Sequence, residues 1–238
     1  MYSSEERFDR TINLIGREAF SRLQNSTVAI FGLGGVGGYA AEALVRSGIG
    51  GLVLVDFDTV SVSNINRQII AAEETVGQKK TEAFAKRAKS INPDVQIKEI
   101  TEFINAENIE DIFRQNKIDY VVDAIDTVSS KTALISCAHA LGIPIISSMG
   151  TGNKLDPTLF KITDISKTDT CPLARVMRKK LREIGIFHTD VLYSPEKPVS
   201  MAISDENGRH IPASIAFVPS VAGLIIGGYV VKKIARIV

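Results

Sequence analysis

The stretch TVAIFGLGGVGG, residues 27–38, decides the fold, because in it an apolar run passes directly into a glycine turn. Residues 27–31 are β-branched, aromatic and aliphatic, the composition of a buried strand in a parallel sheet. Gly32, Gly34 and Gly37 then stand in the spacing Gly-x-Gly-x-x-Gly, and Gly35 and Gly38 leave the turn barer still. Without side chains the backbone there can approach a phosphate closely. The helix expected over 39–47 would aim its free N–H groups and positive dipole end at that anion. A glycine turn that only packs a helix on a sheet shows the same spacing, and dinucleotide enzymes share it. The turn is therefore read together with the residues downstream.

Residues 52–56, LVLVD, form a second buried strand ending on Asp56, about 20 residues beyond the turn, where an acid is placed to accept hydrogen bonds from ribose hydroxyls. Asp58 fits a helix cap better. From 59 to 78 the chain takes about twenty residues to reach its next long helix, 80–90, where two to six are usual. This excursion holds Ser63, Asn64, Asn66, Arg67 and Gln68, and Gln78, Lys79 and Lys80 follow as the helix begins. Arg67 offers a planar fork of donors and Lys80 a compact charge, the two ways in which side chains neutralise phosphate oxygens. A triphosphate carries more charge than the phosphates of a dinucleotide and needs such added cations, which separates nucleotide triphosphate chemistry from hydride transfer. Strands are expected over 95–100 and 120–124, with a helix over 106–116. The second strand opens into Asp123, Ala124, Ile125, Asp126 and Thr127, placing two carboxylates in the crevice where open α/β sheets bind ligands. Asp126 is positioned to hold a magnesium ion through water, or simply to cap the helix expected over 128–141. A strand over 143–148 follows, and His139 on the intervening helix reads as partly exposed packing.

The chain as a whole sets few other limits. Its 238 residues, 45% of them hydrophobic, suffice for one large core or two small ones. A formal charge of +1 gives no global attraction to nucleic acid or membrane, so any such partner must meet a local patch. Cys137 and Cys171, far apart, suit a reducing cytosol and lack the paired spacing of a structural zinc site. The opening MYSSEERFDR places charges where an export signal needs apolar residues, so a cytoplasmic protein is expected. Residues 221–231 are apolar but about half the ~20 needed to span a bilayer, and read as part of a buried helix, 219–237, with Pro219 in its first turn.

At the N-terminus, 7–23 has helical spacing and carries Arg7, Arg10 and Arg17. Beyond Met149 the pattern changes. Residues 151–155 are turn-like, 159–165 alternate like an antiparallel strand, 190–208 read as a mobile loop, and 211–218 as a last strand. The helix expected over 172–185 buries Leu173, Val176, Met177, Leu181 and Ile184 and presents Arg175, Arg178, Lys179, Lys180 and Arg182 against the single acid Glu183. Such a run is usually a solvated face. Its lopsided sign on a near-neutral chain favours a polyanion.

Several of these segments together resemble one family: RFDR at 7–10, GLGGVG at 32–37, DFDTVSVSNINRQ at 56–68, VGQKK at 76–80 and DAIDT at 123–127. They are similar to the ubiquitin-activating-enzyme-like adenylyltransferases. The segments DTCPLARVMRKKLREIGI at 169–186 and FVPSVAGLIIGGYVV at 217–231 look most like the tRNA threonylcarbamoyladenosine dehydratases within that superfamily. The resemblance implies a single adenylation domain over 1–238, a Rossmann-like, mostly parallel sheet with helices on both faces. Residues 1–150 would bind ATP, and 151–238, extended by antiparallel strands, would face the substrate and support a dimer. It further implies ATP at Gly32, Gly34, Gly35 and Gly37, Asp56 on the ribose with Asp58 beside it, Asn64, Arg67, Gln68 and Lys80 at the triphosphate, and Asp126 serving magnesium, with no zinc. Arg10 would reach into a neighbouring subunit's site, so a homodimer is implied. The implied substrate is tRNA bearing threonylcarbamoyladenosine, whose threonyl carboxylate is adenylated before an internal nitrogen or oxygen displaces AMP and closes a ring. Adenylation of a small sulfur-carrier protein is the alternative, with a sulfur-transfer protein as a possible partner. A nicotinamide-binding oxidoreductase leaves Arg67, Lys80 and Asp126 without a shared purpose. Cys171 stands near the implied site, either as a packing residue or as a nucleophile.

Overall fold

A computed structural model describes residues 2–199 and 213–237. Seven strands form one sheet in the order β3-β2-β1-β4-β5-β7-β6. They are β1 (Thr27–Phe31), β2 (Gly51–Val55), β3 (Gln96–Ile100), β4 (Tyr120–Asp123), β5 (Ile145–Ser148), β6 (Lys161–Asp164) and β7 (Asp190–Tyr193). Every pairing is parallel except β6 with β7. The fold is therefore α/β and doubly wound, with one antiparallel edge in the C-terminal third.

The strands are apolar on both faces because both are covered. Val28 and Ile30 of β1 join a core with α2 (Arg17–Gln24), α3 (Gly37–Arg46), α4 (Lys80–Ile91) and α8 (Phe217–Ala235). Ala29 and Phe31 face the opposite core, built with α5 (Ile109–Gln115), α6 (Val128–Ala140) and α7 (Pro172–Glu183). The N-terminal segment divides into α1 (Ser4–Ile15) and α2, separated by Gly16 at φ +84°. The chain order reverses between β1 and β4, so the loops leaving the carboxyl ends of these neighbours splay apart and leave a crevice.

Three expectations are corrected here. Residues 190–193 are not loop but the strand β7, because Val191 and Leu192 are fully buried between β5 and β6 and the prolines of that segment lie beyond them; 200–208 fall outside the described residues. No strand occupies 213–218, since Phe217 and Val218 already belong to α8, where Pro219 sits in the first turn and needs no donated bond; 211–212 again lie outside the described residues. Asp58 caps no helix and instead pairs with Lys80.

The apolar helix α8 has the expected length and begins and ends two residues earlier than the expected 219–237. At 19 residues it is long and apolar enough to cross a membrane by length and composition. It is laid along α3, however, with Ala222, Ile226 and Val230 fully buried. Gly223 permits this contact: a Cβ there would lie 2.3 Å from the Val36 carbonyl oxygen. Arg22 of α2 donates through Nε and Nη2 to the Ala235 carbonyl at 3.0 and 2.8 Å, satisfying an acceptor at the end of α8.

Candidate active site

A cavity of about 880 Å³ occupies the crevice, within the size range of small-molecule sites. Its near wall is the glycine turn. Gly32 has φ +88°, and a Cβ there would meet the Ala124 carbonyl oxygen at 2.7 Å, so the turn lies directly on the chain leaving β4. A Cβ on Gly37 would fall 1.8 Å from the Gly32 carbonyl oxygen, which fixes how closely α3 starts behind the strand. Gly34, by contrast, has open space, with only the Gln68 Nε2 at 3.8 Å from where its Cβ would be. No side chain caps the N-terminus of α3. The turn thus presents bare backbone and uncapped N–H groups to the cavity, the arrangement that receives a phosphate.

Above it stand the residues of the 59–78 excursion. Asn64 is buried, its Oδ1 accepting the Ser61 N–H at 3.1 Å. Gln68 is also buried, and its Oε1 has no partner. A buried carbonyl left unpaired is costly, and a ligand donor at the turn would relieve it. Arg67 donates through Nη1 to the Ser63 carbonyl (2.7 Å) and the Asn66 Oδ1 (3.0 Å), which fixes one arm of the guanidinium at the cavity edge. Asn66 in turn donates to the Ser214 carbonyl at 3.1 Å and so ties this loop to the segment preceding α8.

Asp56 accepts the Leu33 N–H on Oδ2 (2.6 Å) and the Asp58 N–H on Oδ1 (2.9 Å), while the Lys80 Nζ lies 2.7 Å from Asp58 Oδ2 and 3.9 Å from Asp56 Oδ1. Burial pushes the Asp56 carboxyl above the ordinary carboxylate range, against the opposing pull of Lys80 and the two N–H donors. Its four lone-pair directions are not exhausted by two N–H donors, so hydroxyl donors can still be accepted.

Asp123 and Asp126 separate in role. Asp126 is exposed and lines the cavity, while the uncapped N-terminus of α6 shows that it is not a helix cap. Asp123 is not in the crevice, contrary to the expectation of two facing carboxylates. Fully buried, it accepts the Lys131 Nζ at 2.8 Å and the Ser147 hydroxyl at 2.6 Å on Oδ2, and the Ile125 N–H at 3.1 Å on Oδ1. Lys131 also donates to the Ile125 carbonyl at 3.0 Å. This buried network clamps the turn that carries Asp126. Lys131 was not singled out in the sequence, because a lysine in α6 has no special spacing that marks it as buried.

Two more groups escaped the sequence reading. Phe57 and Phe103 meet edge to face, centroids 5.1 Å apart, at the cavity rim, each about half exposed. They offer aromatic surface suited to a purine. The only sequence signal was their place just beyond the ends of β2 and β3. The other is Lys154, buried in the far wall of residues 148–154 and 171–173, which also holds the buried Cys171 that the sequence had placed near the site.

The remaining predicted residues lie elsewhere. Arg10 is exposed on α1 and does not line this cavity. On α7, Arg175, Arg178, Lys179 and Arg182 share a shallow depression of their own. Arg178 departs from the expected free cation: its Nη1 donates to the Thr168 carbonyl (2.7 Å) and hydroxyl (2.6 Å), anchoring the helix to the preceding turn. Lys180 pairs with Glu183 at 3.3 Å. His139 is exposed near the end of α6.

A doubly wound sheet, a bare glycine turn at its switch point and cations gathered over that turn define a nucleotide-binding α/β protein. More narrowly, the chain belongs to the ThiF family, which matches residues 8–237. It is 45% identical to the tRNA threonylcarbamoyladenosine dehydratase of Bacillus subtilis (strain 168), over 96% of this chain and 94% of that protein. In structure it is similar to the Escherichia coli tRNA N6-threonylcarbamoyladenosine dehydratase TcdA in complex with ATP. The TM-score is 0.90 at 32% identity, covering 99% of this chain and 97% of the other. The complex of the same enzyme with AMP matches with a TM-score of 0.90 at 33% identity over the same shares.

Proposed function

We propose that this protein is an ATP-dependent tRNA threonylcarbamoyladenosine dehydratase. The observation that carries the reading is the convergence of Arg67, Lys80 and Asp126 on one cavity with the open Gly34 turn. The orphaned Gln68 carbonyl fits a bound nucleotide in the same place. In the proposed reaction a threonyl carboxylate oxygen bonds to the α-phosphorus of ATP as the bond to the bridging oxygen breaks, and pyrophosphate leaves with the electron pair. A nitrogen or oxygen of the threonylcarbamoyl group then attacks the acyl carbon, AMP departs, a proton is lost, and the net change in the nucleoside is loss of water.

The chain's contribution is positioning and charge. Gly32, Gly34, Gly35 and Gly37 shape the phosphate cradle, Asp56 accepts from the ribose with Asp58 holding Lys80 beside it, and Asn64, Arg67, Lys80 and Gln68, the last donating through its Nε2, meet the triphosphate, while the Gln68 Oε1 is left to a donor elsewhere on the nucleotide. Arg67 and Lys80 stabilise charge growing on the phosphates. Because the second nucleophile is tethered to the substrate, ring closure gains from proximity and needs no covalent enzyme intermediate, which leaves Cys171 a packing residue. Asp126 is suited to hold magnesium together with the phosphates, supplying charge screening there; one carboxylate suffices for that metal when phosphates complete its shell.

For the tRNA, Arg175, Lys179 and Arg182 form the contact set, with Lys180 partly neutralised and Arg178 serving as their anchor. Arg10, remote from its own cavity, is assigned to the cavity of a second copy in a homodimer. The cysteine usage suits a cytoplasmic setting. Mass analysis of tRNA nucleosides tests the function: incubation with protein and ATP should convert threonylcarbamoyladenosine to a product lighter by one water, with AMP and pyrophosphate released. Unchanged nucleosides, or AMP formation that requires a carrier protein and not tRNA, would transfer the activity to another substrate.

A further inference from the structure

We infer that Lys154 binds the carboxylate that is to be adenylated. This deepens the proposed function and rests on it. Adenylation brings a carboxylate up to an α-phosphate, so two anions must be held together, and cationic charge is needed on the carboxylate's side as well as on the phosphate's. Three cations line the cavity among the described residues: Arg67, Lys80 and Lys154. The first two belong to the glycine-turn end, with Asp56, Asp58 and Asp126 around them. Lys154 belongs to the opposite wall, whose other described residues, 148–153 and 171–173, carry no charge.

Its bonding sets it apart from the other buried lysines. Lys80 and Lys131 each have a carboxylate oxygen within 2.8 Å. Lys154 is 3% exposed, yet its Nζ donates only to the neutral Glu196 carbonyl, at 2.5 Å, and no ion pair is made among the described residues. The Glu196 carboxylate is engaged instead by the N–H groups of Leu155 (2.7 Å) and Asp156 (3.2 Å). An ammonium has three protons to donate, and among the described residues Nζ has one neutral acceptor and no carboxylate within ion-pair distance, so within these residues the site is under-satisfied. Burial accordingly lowers the Lys154 pKa from its ordinary range, against the opposing influence of Cys171 and Glu196. An arriving carboxylate would supply both the missing acceptor and the missing charge.

The backbone holds the ammonium in place. Asn153, in the left-handed region at φ 57°, donates its N–H to the Ala213 carbonyl (2.8 Å) and accepts the Ala213 N–H on Oδ1 (2.7 Å) and the Val199 N–H on its carbonyl (2.7 Å). These bonds hold the backbone immediately before Lys154. During the reaction it keeps its proton and holds one carboxylate oxygen while the other bonds to phosphorus.

The test compares wild type, Lys154→Met and Lys154→Arg by ATP affinity and by AMP formation against increasing tRNA bearing threonylcarbamoyladenosine. The binding of the same tRNA without that group is measured alongside. Lys154→Met should lose about tenfold or more in kcat/KM for modified tRNA, with ATP affinity and unmodified-tRNA affinity within about twofold of wild type. Lys154→Arg should recover much of the loss. A Met variant as active as wild type overturns the assignment, and so does equal weakening toward both tRNAs, which marks a general structural role. If the Met variant no longer binds ATP, Lys154→Gln is read by the same criteria. Wild type that forms no AMP with modified tRNA would defeat the proposed function itself, an outcome distinct from any behaviour of the variants.

Discussion

The two ends of the cavity are built on opposite electrostatic plans. At the glycine-turn end the buried lysines are matched within the chain: Lys80 lies against Asp58, and under the floor Lys131 lies against Asp123. At the far end Lys154 is buried with a carbonyl as its one acceptor among the described residues. Matched charge keeps a site rigid while it waits for a ligand, and the ligand's phosphates then compete for cations already in place. Unmatched charge leaves a deficit that only an arriving anion removes. The difference teaches that one wall is organised to orient and the other to attract.

The contrast can be broken most severely beneath the matched end. Asp123→Ala leaves the Lys131 ammonium buried without a counter-charge and should destabilise the fold by about 3–5 kcal/mol in denaturant unfolding. Replacing both partners by apolar residues should cost much less; equal costs would show that the pair's charge is not what holds the turn. Next in size is Arg67→Ala, which removes a charge-assisted contact worth about 1.5–3 kcal/mol and should lower turnover about tenfold or more. Unchanged turnover at saturating ATP would remove Arg67 from the reaction.

On α7, replacing Arg175, Lys179 and Arg182 together should weaken tRNA binding and flatten its dependence on log salt by up to about three units. Arg178→Ala should leave that slope nearly alone and lower the melting temperature, since its guanidinium is spent on Thr168. The smallest effect is in pH. In the proposed binding mode a ribose hydroxyl donates to ionised Asp56, so protonation would oppose ATP binding, and KM for ATP should rise as pH falls through the raised pKa of that carboxyl. At the pH equal to that pKa the increase is about twofold, and Asp56→Asn should abolish the trend.

The two ends also differ in how plainly the sequence displayed them. Residues 27–38 and 56–80 carry local signals, glycine spacing and an overlong connection with cations in it, and the sheet, its switch point and the convergence of Arg67 with Lys80 follow from short-range pattern. The far wall has no such signal. Lys154 is an ordinary lysine in a turn-like segment; its acceptor is Glu196, and its neighbour Asn153 is tied to Val199 and Ala213, all distant in the chain. The same non-locality hid β7, four residues whose strand character comes from insertion between β5 and β6. Asp123 misled for the converse reason: two carboxylates three residues apart looked equivalent, and only the depth of Lys131 in the packed layer shows that one of them points away from the crevice.

The placement of α8 on α3 has a consequence for how the molecule is made. The helix that starts at the glycine turn acquires its covering layer from a segment roughly 180 residues later in the chain, a delay of about 10–40 s at ordinary rates of synthesis. Until then Ala40 and Ala43 lack Gly223 and Gly227 against them, and the nascent chain exposes an apolar seam beside the glycine turn. Shortening the chain before 217 would make that interim condition permanent, yielding a protein prone to capture by chaperones even with every motif residue intact.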